Sequence, residues 1–439
     1  MKKFLIKTLG CKVNSYESEF IRNLFLNENY EEVENNADVC IINTCTVTNT
    51  ADNKSKQVIN NIKKNNKDAI VIAMGCFCQF RNSEIEDLID ADIILGNKNK
   101  HKVLEYLKEY NKNHKRIVYF EDMNQNDIDF DDMEIKRYKH HHRAFIKIED
   151  GCNNFCSYCI IPYVRGRVRS KEFNKCIMEV NDLALSGHKE IVLSGIHTGQ
   201  YNSDGKRLSD LINEISKVEQ IKRIRLSSVE IVELDDKMMD IIKNNNKFVS
   251  HLHIPLQAGS DHVLKLMNRR YNKNYFKDLV NDIRKNRKDI SLTTDVIVGF
   301  PGETEEDFQE TLDFCEEIGF TKIHVFPYSD RNGTVASRMK DKVPGNIKKE
   351  RVKRLIELSN KLEKEYYLKH IDKEDDVLIE EIKTDGYLHG FTGDYIPVKL
   401  KGDYKINEIY KIKLKRNNIN FDLNWIDKSI SKWYTFYIK

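Results

Sequence analysis

Short apolar runs alternate with amphipathic stretches of helix length in two separate parts of this 439-residue chain. Such alternation predicts βαβ units around a parallel sheet, and it is the strongest constraint that the sequence places on the fold. The first series has its apolar runs at 4–9, 39–42, 70–74, 93–95 and 117–120. We therefore predict an α/β domain at residues 1–122. A linker is predicted at 123–140, where an acidic segment gives way to a basic one.

A second series begins at Ala144 and contains six strand-like runs, at 145–148, 191–193, 224–227, 252–254, 292–298 and 323–326. Six βα units of this size predict a partial, TIM-like (β/α)6 barrel at residues 141–371, with its chemistry at the carboxyl ends of the strands. Beyond it the pattern changes to short alternating strands with glycine turns. This change predicts a small all-β barrel and a tail at residues 372–439.

The composition favours a protein of the cytoplasm without a membrane partner. The formal net charge is +3 and charged residues make up 32% of the chain. No stretch approaches the run of about 18 apolar residues that a membrane span requires. Ten cysteines in such a chain favour metal ligation over a disulfide framework.

Three cysteines, Cys152, Cys156 and Cys159, lie in the loop directly after the first barrel strand. Three thiolates can hold a [4Fe–4S] cluster by three corners and leave the fourth iron open. A structural zinc site is the alternative. Zinc favours paired C-x2-4-C motifs that close to four ligands, and no fourth ligand follows here at that spacing.

A second set, Cys11, Cys45 and Cys76, follows the first three strands of the N-terminal series. Because the carboxyl ends of neighbouring parallel strands meet at one edge of a sheet, these distant thiols are able to converge there. The alternative is three ordinary buried cysteines at strand ends, since cysteine is among the most buried residue types. The residues alone leave both interpretations open.

Longer motifs surround these cysteines and recur further along the chain. They are Thr-Leu-Gly-Cys-Lys-Val-Asn at 8–14, Asn-Thr-Cys-Thr-Val-Thr at 43–48, Gly-Cys-Phe-Cys-Gln at 75–79, Asp-Gly-Cys-Asn-Asn-Phe-Cys-Ser-Tyr-Cys at 150–159, Leu-Gln-Ala-Gly-Ser-Asp at 256–261 and Asp-Val-Ile-Val-Gly-Phe-Pro-Gly-Glu at 295–303. Over nearly the whole chain they resemble the radical S-adenosylmethionine methylthiotransferase family. The first motif, the 46–48 run and Arg331-x-Gly333-Thr334 resemble the branch that acts on N6-threonylcarbamoyladenosine in tRNA.

The resemblance implies two [4Fe–4S] clusters, with S-adenosylmethionine as radical source and methyl donor. The implied metal ligands are Cys11, Cys45, Cys76, Cys152, Cys156 and Cys159, and Cys78 stays open as an alternative to Cys76. The implied reaction converts N6-threonylcarbamoyladenosine next to the anticodon into its 2-methylthio derivative, with an external one-electron donor and a sulfur source as further partners. Rival substrates are isopentenyladenosine and a ribosomal-protein aspartate. A rival of another class is a non-catalytic, metal-containing RNA-binding protein.

Further site residues follow from strand ends and charge. The expected cofactor-binding residues are Tyr158, Ser194, Gly195, Glu230, Gln257, Asp295 and Phe326. The C-terminal barrel resembles the TRAM domain of RNA-modifying enzymes, and its basic groups together with those after the cysteine loop suit a polyanion. The expected RNA contacts are Arg165, Arg167, Arg169, Lys399, Lys401, Lys411 and Lys413.

Overall fold

The computed structural model describes residues 1–125, 128–138, 142–384 and 386–421. The N-terminal part forms one six-stranded sheet in the order β2-β1-β3-β4-β5-β6, and every neighbouring pair is parallel. Its strands are β1 (Lys3–Thr8), β2 (Glu31–Glu32), β3 (Val39–Thr44), β4 (Ile70–Gly75), β5 (Ile93–Leu95) and β6 (Ile117–Tyr119). Its helices are α1 (Lys12–Asn27), α2 (Asn49–Asn65), α3 (Cys76–Phe80), α4 (Ile85–Leu88) and α5 (Val103–Asn113). All five apolar runs are strands, as predicted.

Both faces of this sheet are covered by helices, as the nearly continuous apolar strands require. Along β3, Val39 and Ile41 belong to the core on one face, whereas Cys40 and Ile42 belong to the core on the other. Successive side chains of a strand point to opposite faces, so a strand buried on both sides shows no polar alternation. All six residues of β3 are buried.

The middle of the chain forms the predicted partial barrel. Two parallel three-stranded sheets, β7-β10-β13 and β14-β15-β16, are joined by a bridge between Ile224 and Phe248. The strands are β7 (Arg143–Lys147), β8 (Glu149–Asp150), β9 (Arg169–Ser170), β10 (Glu190–Ser194), β11 (Asn202–Ser203), β12 (Lys206–Arg207), β13 (Arg223–Leu226), β14 (His251–His253), β15 (Ser291–Val298) and β16 (Lys322–Pro327). The helices are α6 (Ile161–Arg165), α7 (Phe173–Leu185), α8 (Leu208–Ile215), α9 (Asp236–Asn244), α10 (Asp261–Leu266), α11 (Lys273–Asn286), α12 (Glu305–Ile318) and α13 (Gly345–Leu368).

The segment predicted as a linker has no helix or strand in its described part, but it is packed. Met133, Ile135 and Tyr138 are each at most 4% exposed and belong to the core of the barrel. The Tyr16 hydroxyl of α1 donates to the Met133 carbonyl at 2.5 Å. The segment therefore joins the two domains as part of their shared core. Residues 126–127 and 139–141 lie outside the described residues.

The C-terminal part is a small antiparallel sheet in the order β19-β18-β17-β20. Its strands are β17 (Glu374–Ile382), β18 (Leu388–Thr392), β19 (Pro397–Leu400) and β20 (Ile409–Lys413). A bridge from Ile419 back to Val398 begins to close the sheet, which suits the predicted β barrel. The predicted tail beyond residue 421 lies outside the described residues.

This small domain rests on the amino-terminal end of the barrel strands. Arg143, at the start of β7, forms an ion pair with Glu380 at 2.8 Å, and the Arg223 guanidinium donates to the Phe391 carbonyl at 3.2 Å. Within the described ranges, no helix is both long and apolar enough to cross a membrane.

Candidate functional site

Three cysteines converge at the carboxyl edge of the N-terminal sheet. Cys11, Cys45 and Cys76 each directly follow one of the adjacent strands β1, β3 and β4. Burial, together with the nearby thiols of Cys76 and Cys11, raises the pKa of the Cys45 thiol to about 12. Because these strands are neighbours in the sheet, their ends bring together side chains separated by more than thirty positions in the sequence.

Glycines before two of these cysteines make the tight turn from strand to helix. Gly10 and Gly75 have φ values of +103° and +105°, which favour glycine over any residue with a Cβ. A Cβ on Gly10 would lie 2.9 Å from the Cys45 sulfur. The missing Cβ of Gly10 therefore lets its turn pass close to the Cys45 thiol, and that of Gly75 lets its turn pass close to Asn43 and Thr44.

Cys76 and Cys78 lie on the same short helix but in different surroundings. The Cys76 sulfur accepts hydrogen bonds from Arg165 Nε at 3.3 Å and from Asn97 Nδ2 at 3.4 Å. Cys78 is fully buried in the core on one face of the sheet. The charge of Cys76, but not that of Cys78, is among the main influences on the pKa of Cys11 and Cys45. The geometry therefore supports Cys76 as the third member of the trio.

Arg165 lies at the centre of a buried charge network between the two domains. Its guanidinium donates to Glu17 at 3.1 Å, to Asp150 at 3.0 Å and to Asn14 at 2.6 Å. Burial alone would raise the pKa of the Glu17 carboxyl, but the charges of Arg165 and Lys100 hold it well below its usual range. Arg165 is 0% exposed, so the structure contradicts the expected RNA contact at this residue.

A second arginine ties the domains together beside the same edge. Arg331, 1% exposed, donates to Thr46 at 2.7 Å, to Asn49 at 2.7 Å and to Asp52 at 3.1 Å. The motif that contains Arg331 and the motif that contains Thr46 are thus in direct contact. Their shared role in the structure is to hold the N-terminal domain against the barrel.

The loop of Cys152, Cys156 and Cys159 lies at the carboxyl end of the barrel strands, between β8 and α6. The Cys156 sulfur accepts a hydrogen bond from Arg269 Nη1 at 3.3 Å, and Arg269 is itself paired with Glu230. Arg269 was not predicted as a site residue. It lies in a helix–helix connection rather than at a strand end, so the barrel rule does not find it.

His197 is a second functional-site residue that the sequence patterns missed. Its Nδ1 lies 3.5 Å from the Cys152 sulfur and its Nε2 lies 2.5 Å from a Glu233 carboxylate oxygen. Burial opposes the charged form of His197. The hydrogen bonds with Cys152 and Glu233 outweigh burial and raise its pKa to about 10. Its position shortly after strand β10 is the one sequence feature that could have identified His197 as a candidate site residue.

One thiol of the first set and all three thiols of the second set face one cavity between the domains. The cavity has a volume of about 330 Å³ and is lined by Cys11 from the N-terminal domain and by Cys152, Cys156 and Cys159 from the barrel. A volume of this size suits a small-molecule ligand. A smaller, largely apolar cavity of about 220 Å³ shares part of its wall with it.

Six of the seven expected cofactor-binding residues line these cavities. Gly195 and Glu230 line the larger cavity, Phe326 lines the smaller one, and both cavities are lined by Tyr158, Gln257 and Asp295. Ser194 lines neither of them. It is fully buried, with its hydroxyl 3.4 Å from the Val192 carbonyl, so its side chain has no place on the wall of either cavity.

The remaining expected RNA contacts differ in accessibility. Arg167 is exposed and stacks over the Phe155 ring at 4.7 Å, whereas Arg169 is half-buried and donates to backbone carbonyls of Arg165 and Arg167. In the small domain one lysine, Lys399, is half-buried. The exposed lysines are Lys401, Lys411 and Lys413.

The spacing of the thiols suits a cluster better than a single ion. Within the described part of the chain, the one group of three such side chains with ligand atoms within 4.8 Å of one another is His253, Asp295 and His324. Neither cysteine trio is that tight, whereas a zinc ion binds each sulfur at about 2.3 Å. A four-iron cluster is larger and holds its three thiolates further apart. Both trios are therefore more widely spaced than a single zinc ion needs, which agrees with the larger size of a cubane cluster.

Comparisons with known proteins agree with this architecture. The family model described as "Radical SAM superfamily" matches residues 146–315, and "Uncharacterized protein family UPF0004" matches residues 3–96. The chain is 42% identical to threonylcarbamoyladenosine tRNA methylthiotransferase MtaB of Bacillus subtilis, over 93% of this chain and 92% of that protein. It is 41% identical to the protein of the same name from Aquifex aeolicus, over 93% of this chain and 99% of that protein.

A relative named for another substrate is nearly as similar. The tRNA-2-methylthio-N(6)-dimethylallyladenosine synthase of Acetivibrio thermocellus is 38% identical, over 89% of this chain and 83% of that protein. Among solved structures, the radical S-adenosylmethionine methyltransferase TsrM from Kitasatospora setae matches with a TM-score of 0.55 at 14% identity, over 74% of this chain and 73% of that one. That likeness concerns the fold alone. On the identity to its relatives over most of its length, the chain belongs to the radical S-adenosylmethionine methylthiotransferase family.

Proposed function

We propose that this protein is a tRNA methylthiotransferase that converts N6-threonylcarbamoyladenosine, next to the anticodon, into its 2-methylthio derivative. The observation that carries the proposal is the single cavity lined by cysteines of both domains. A site that inserts sulfur by radical chemistry needs a radical source and a sulfur-bearing group beside the same substrate atom. The relatives named as threonylcarbamoyladenosine tRNA methylthiotransferases support this choice of base.

In this proposal each trio of thiolates holds one [4Fe–4S] cluster with one open iron. Cys152, Cys156 and Cys159 hold the cluster that binds S-adenosylmethionine. The sulfur-bearing cluster is held by Cys11, Cys45 and Cys76. When bound, the clusters and S-adenosylmethionine supply the radical and methyl-transfer chemistry that no side chain provides, because a C2–H bond of adenine is too inert for acid–base displacement. The chain itself positions the reactants and excludes water.

Two arginines support the thiolates. Arg165 donates to Cys76 and Arg269 donates to Cys156, so each cluster has one guanidinium on a ligand sulfur. Hydrogen bonds to the sulfur ligands and nearby positive charge both tune the reduction potential of a cluster. Gln257 and Asp295, which line both cavities, are placed to bind polar groups of the cofactor or of the base.

The small C-terminal domain supplies basic groups for the tRNA backbone. Lys411 and Lys413 are exposed and alternate along β20 with Ile412, which is buried. Both side chains therefore lie on the outer face of an edge strand. We place the reaction in the cytoplasm, where tRNA is modified. An external one-electron donor and a sulfur source complete the set of partners.

Replacing both Lys411 and Lys413 with alanine is expected to weaken tRNA binding without changing which base is modified. Each lost phosphate contact lowers the slope of log affinity against log salt by about one, so the double variant loses about two. The measurement is a salt series of equilibrium binding to purified tRNA. Lys353→Ala, an exposed lysine on α13, is the matched control. An unchanged slope in the double variant would remove these lysines from the interface.

The proposed function is tested by mass spectrometry of tRNA nucleosides from a strain that lacks the gene. The 2-methylthio form of threonylcarbamoyladenosine is expected to disappear, its unmethylthiolated precursor to accumulate, and both changes to reverse when the gene is restored. Loss of the 2-methylthio form of isopentenyladenosine instead would identify the rival substrate. Purified protein reconstituted without oxygen is expected to bind about eight irons, four for each cubane. Binding of about four or fewer would contradict the two-cluster enzyme.

A further inference from the structure

A third cavity lies next to the reaction site and has no part in the proposed chemistry. It has a volume of about 430 Å³, and its wall combines residues of the N-terminal domain, such as Phe80, with residues of the barrel, such as Tyr163. Ile160, which directly follows the cluster ligand Cys159, lines this cavity and also the smaller cavity of the reaction site. The two cavities therefore share a wall at Ile160. We call the third cavity the Tyr163 cleft.

Tyr163 gives the cleft an accessible aromatic ring. This residue of helix α6 is 41% exposed. The Phe155 ring packs against it at 81°, with the ring centres 5.8 Å apart, and the Arg167 guanidinium lies 4.7 Å from the centre of the Phe155 ring. Within the part of the chain that the structure describes, nothing hydrogen-bonds to the Tyr163 hydroxyl. Phe155 thus supports the ring, while much of the ring surface stays open.

Uncharged polar side chains from both domains lie on the same wall. Asn82 belongs to the N-terminal domain and Asn332 to the barrel, and both are exposed. Neither side-chain amide forms a hydrogen bond with another described residue. Each amide offers one carbonyl acceptor and two N–H donors. Together with the Tyr163 hydroxyl, they place donors and acceptors beside an aromatic ring.

The charges of the cleft disfavour an anionic ligand. Glu121 and Asp122 lie on its wall, whereas no lysine or arginine is among the described residues that line it. Glu121 accepts a hydrogen bond from the Tyr119 hydroxyl, and Asp122 accepts one from Asn124. A phosphate or carboxylate in the cleft would meet like charge without a cation to offset it. A planar, uncharged group with hydrogen-bonding edges suits this wall best.

An unpaired nucleobase is such a group. Proteins that bind single-stranded RNA stack its bases on aromatic side chains and form hydrogen bonds with the base edges. The wall shared at Ile160 puts the Tyr163 cleft beside a cavity of the reaction site, and neighbouring bases of a strand are only one nucleotide apart. We propose that the Tyr163 cleft binds an unpaired base of the tRNA, from a nucleotide next to the modified adenosine. This inference rests on the proposed function and adds a second base to the part of the substrate that is recognised.

The test uses anticodon stem–loop oligonucleotides that carry N6-threonylcarbamoyladenosine. Two abasic forms keep every sugar and phosphate but lack the base on the 5′ or on the 3′ side of the modified adenosine. Wild-type, reconstituted protein is expected to bind one abasic form at least about fivefold more weakly than the complete stem–loop, because stacking of one base on an aromatic side chain contributes about that much. Tyr163→Ala is expected to bind complete and abasic forms almost equally. Tyr163→Phe keeps the ring and is expected to retain most of the preference.

Fluorescence reports the stacking itself, independently of affinity. With 2-aminopurine at the same nucleotide, the stem–loop is expected to fluoresce less when saturated with wild-type protein than with Tyr163→Ala protein. Tyr275→Ala is the matched control, because Tyr275 is 47% exposed on α11, and it is expected to behave as wild type. Iron content near eight per chain verifies that each variant is assembled.

The comparison with wild-type protein needs no substitution, so it decides the question even if a variant loses iron. If wild-type protein binds both abasic forms as tightly as the complete stem–loop, or if assembled Tyr163→Ala protein keeps the preference, the inference is overturned. Methylthiolation of the complete stem–loop would then leave the proposed function standing. If wild-type protein methylthiolates no stem–loop, the proposed function fails and the inference fails with it.

Discussion

Replacing Arg165 with methionine is expected to destabilise the protein by about 3–5 kcal/mol, the cost of removing one partner from a buried ion network. Methionine approximates the length of the side chain but leaves Glu17 and Asp150 buried with one fewer cation. Lys100 and Lys147 still contact these carboxylates, which keeps the loss within that range. The measurement is urea unfolding of the purified, metal-free protein, followed by circular dichroism.

Arg167→Met provides the control, because Arg167 lies two residues away and is exposed. Its effect is expected to stay within about 0.5 kcal/mol, as for most surface substitutions. The same two variants distinguish two possible roles of Arg165, a contact with RNA and a place in the buried charge network. If Arg165→Met weakened tRNA binding at normal stability while Arg167→Met did nothing, the buried network would not be the main role of Arg165.

Replacing Cys76 with alanine is expected to remove one cluster and abolish the methylthio product, whereas Cys78→Ala is expected to retain both. The Cys76 sulfur lies beside Arg165 and is electrostatically coupled to Cys11 and Cys45, while Cys78 belongs to a closed apolar core. Reconstituted Cys76→Ala protein is expected to bind about four irons and Cys78→Ala about eight. Iron analysis and nucleoside mass spectrometry provide the measurements.

Cleavage of S-adenosylmethionine shows which cluster has been lost. Cys76→Ala is expected to retain reductive cleavage, because Cys152, Cys156 and Cys159 are unchanged. Cys152→Ala is expected to lose it. Should Cys78→Ala bind only about four irons, the third ligand would be Cys78, and the helix would have to rotate to present that sulfur.

The longer strands of all three domains could be predicted because each carries its own local signal, whereas two-residue strands such as β2 could not. Apolar runs separated by helix-length stretches specify a parallel sheet without reference to any distant residue. The same rule placed Cys11, Cys45 and Cys76 at one edge, since the order of parallel strands fixes which ends meet. The sequence favoured Cys76 over Cys78, because Cys76 directly follows the strand and its glycine, but it could not show which way these two residues of one short helix face.

Burial of charged residues could not be predicted from the local pattern. Arg165, Arg167 and Arg169 form one basic run, yet the first is fully buried and the second is exposed. The difference arises from Glu17, which lies 148 positions away in the chain. Likewise, the charged composition of residues 123–140 predicted a linker and gave no sign that Met133 and Ile135 pack into the barrel core. The direction of the Ser194 hydroxyl could not be predicted either, because a position at the end of a strand does not determine where the side chain points.

The contact of Arg331 with Thr46 and Asp52 limits how far the protein can be treated as modular. Each domain has its own core, so an N-terminal domain exchanged for that of a distant relative would keep its sheet. At the edge that holds the thiols, however, residues of one domain pair with residues of the other. A chimera that kept Arg331 without Asp52 would therefore bury an unpaired charge. Engineering a new specificity by domain exchange therefore requires that both sides of this seam be transferred together.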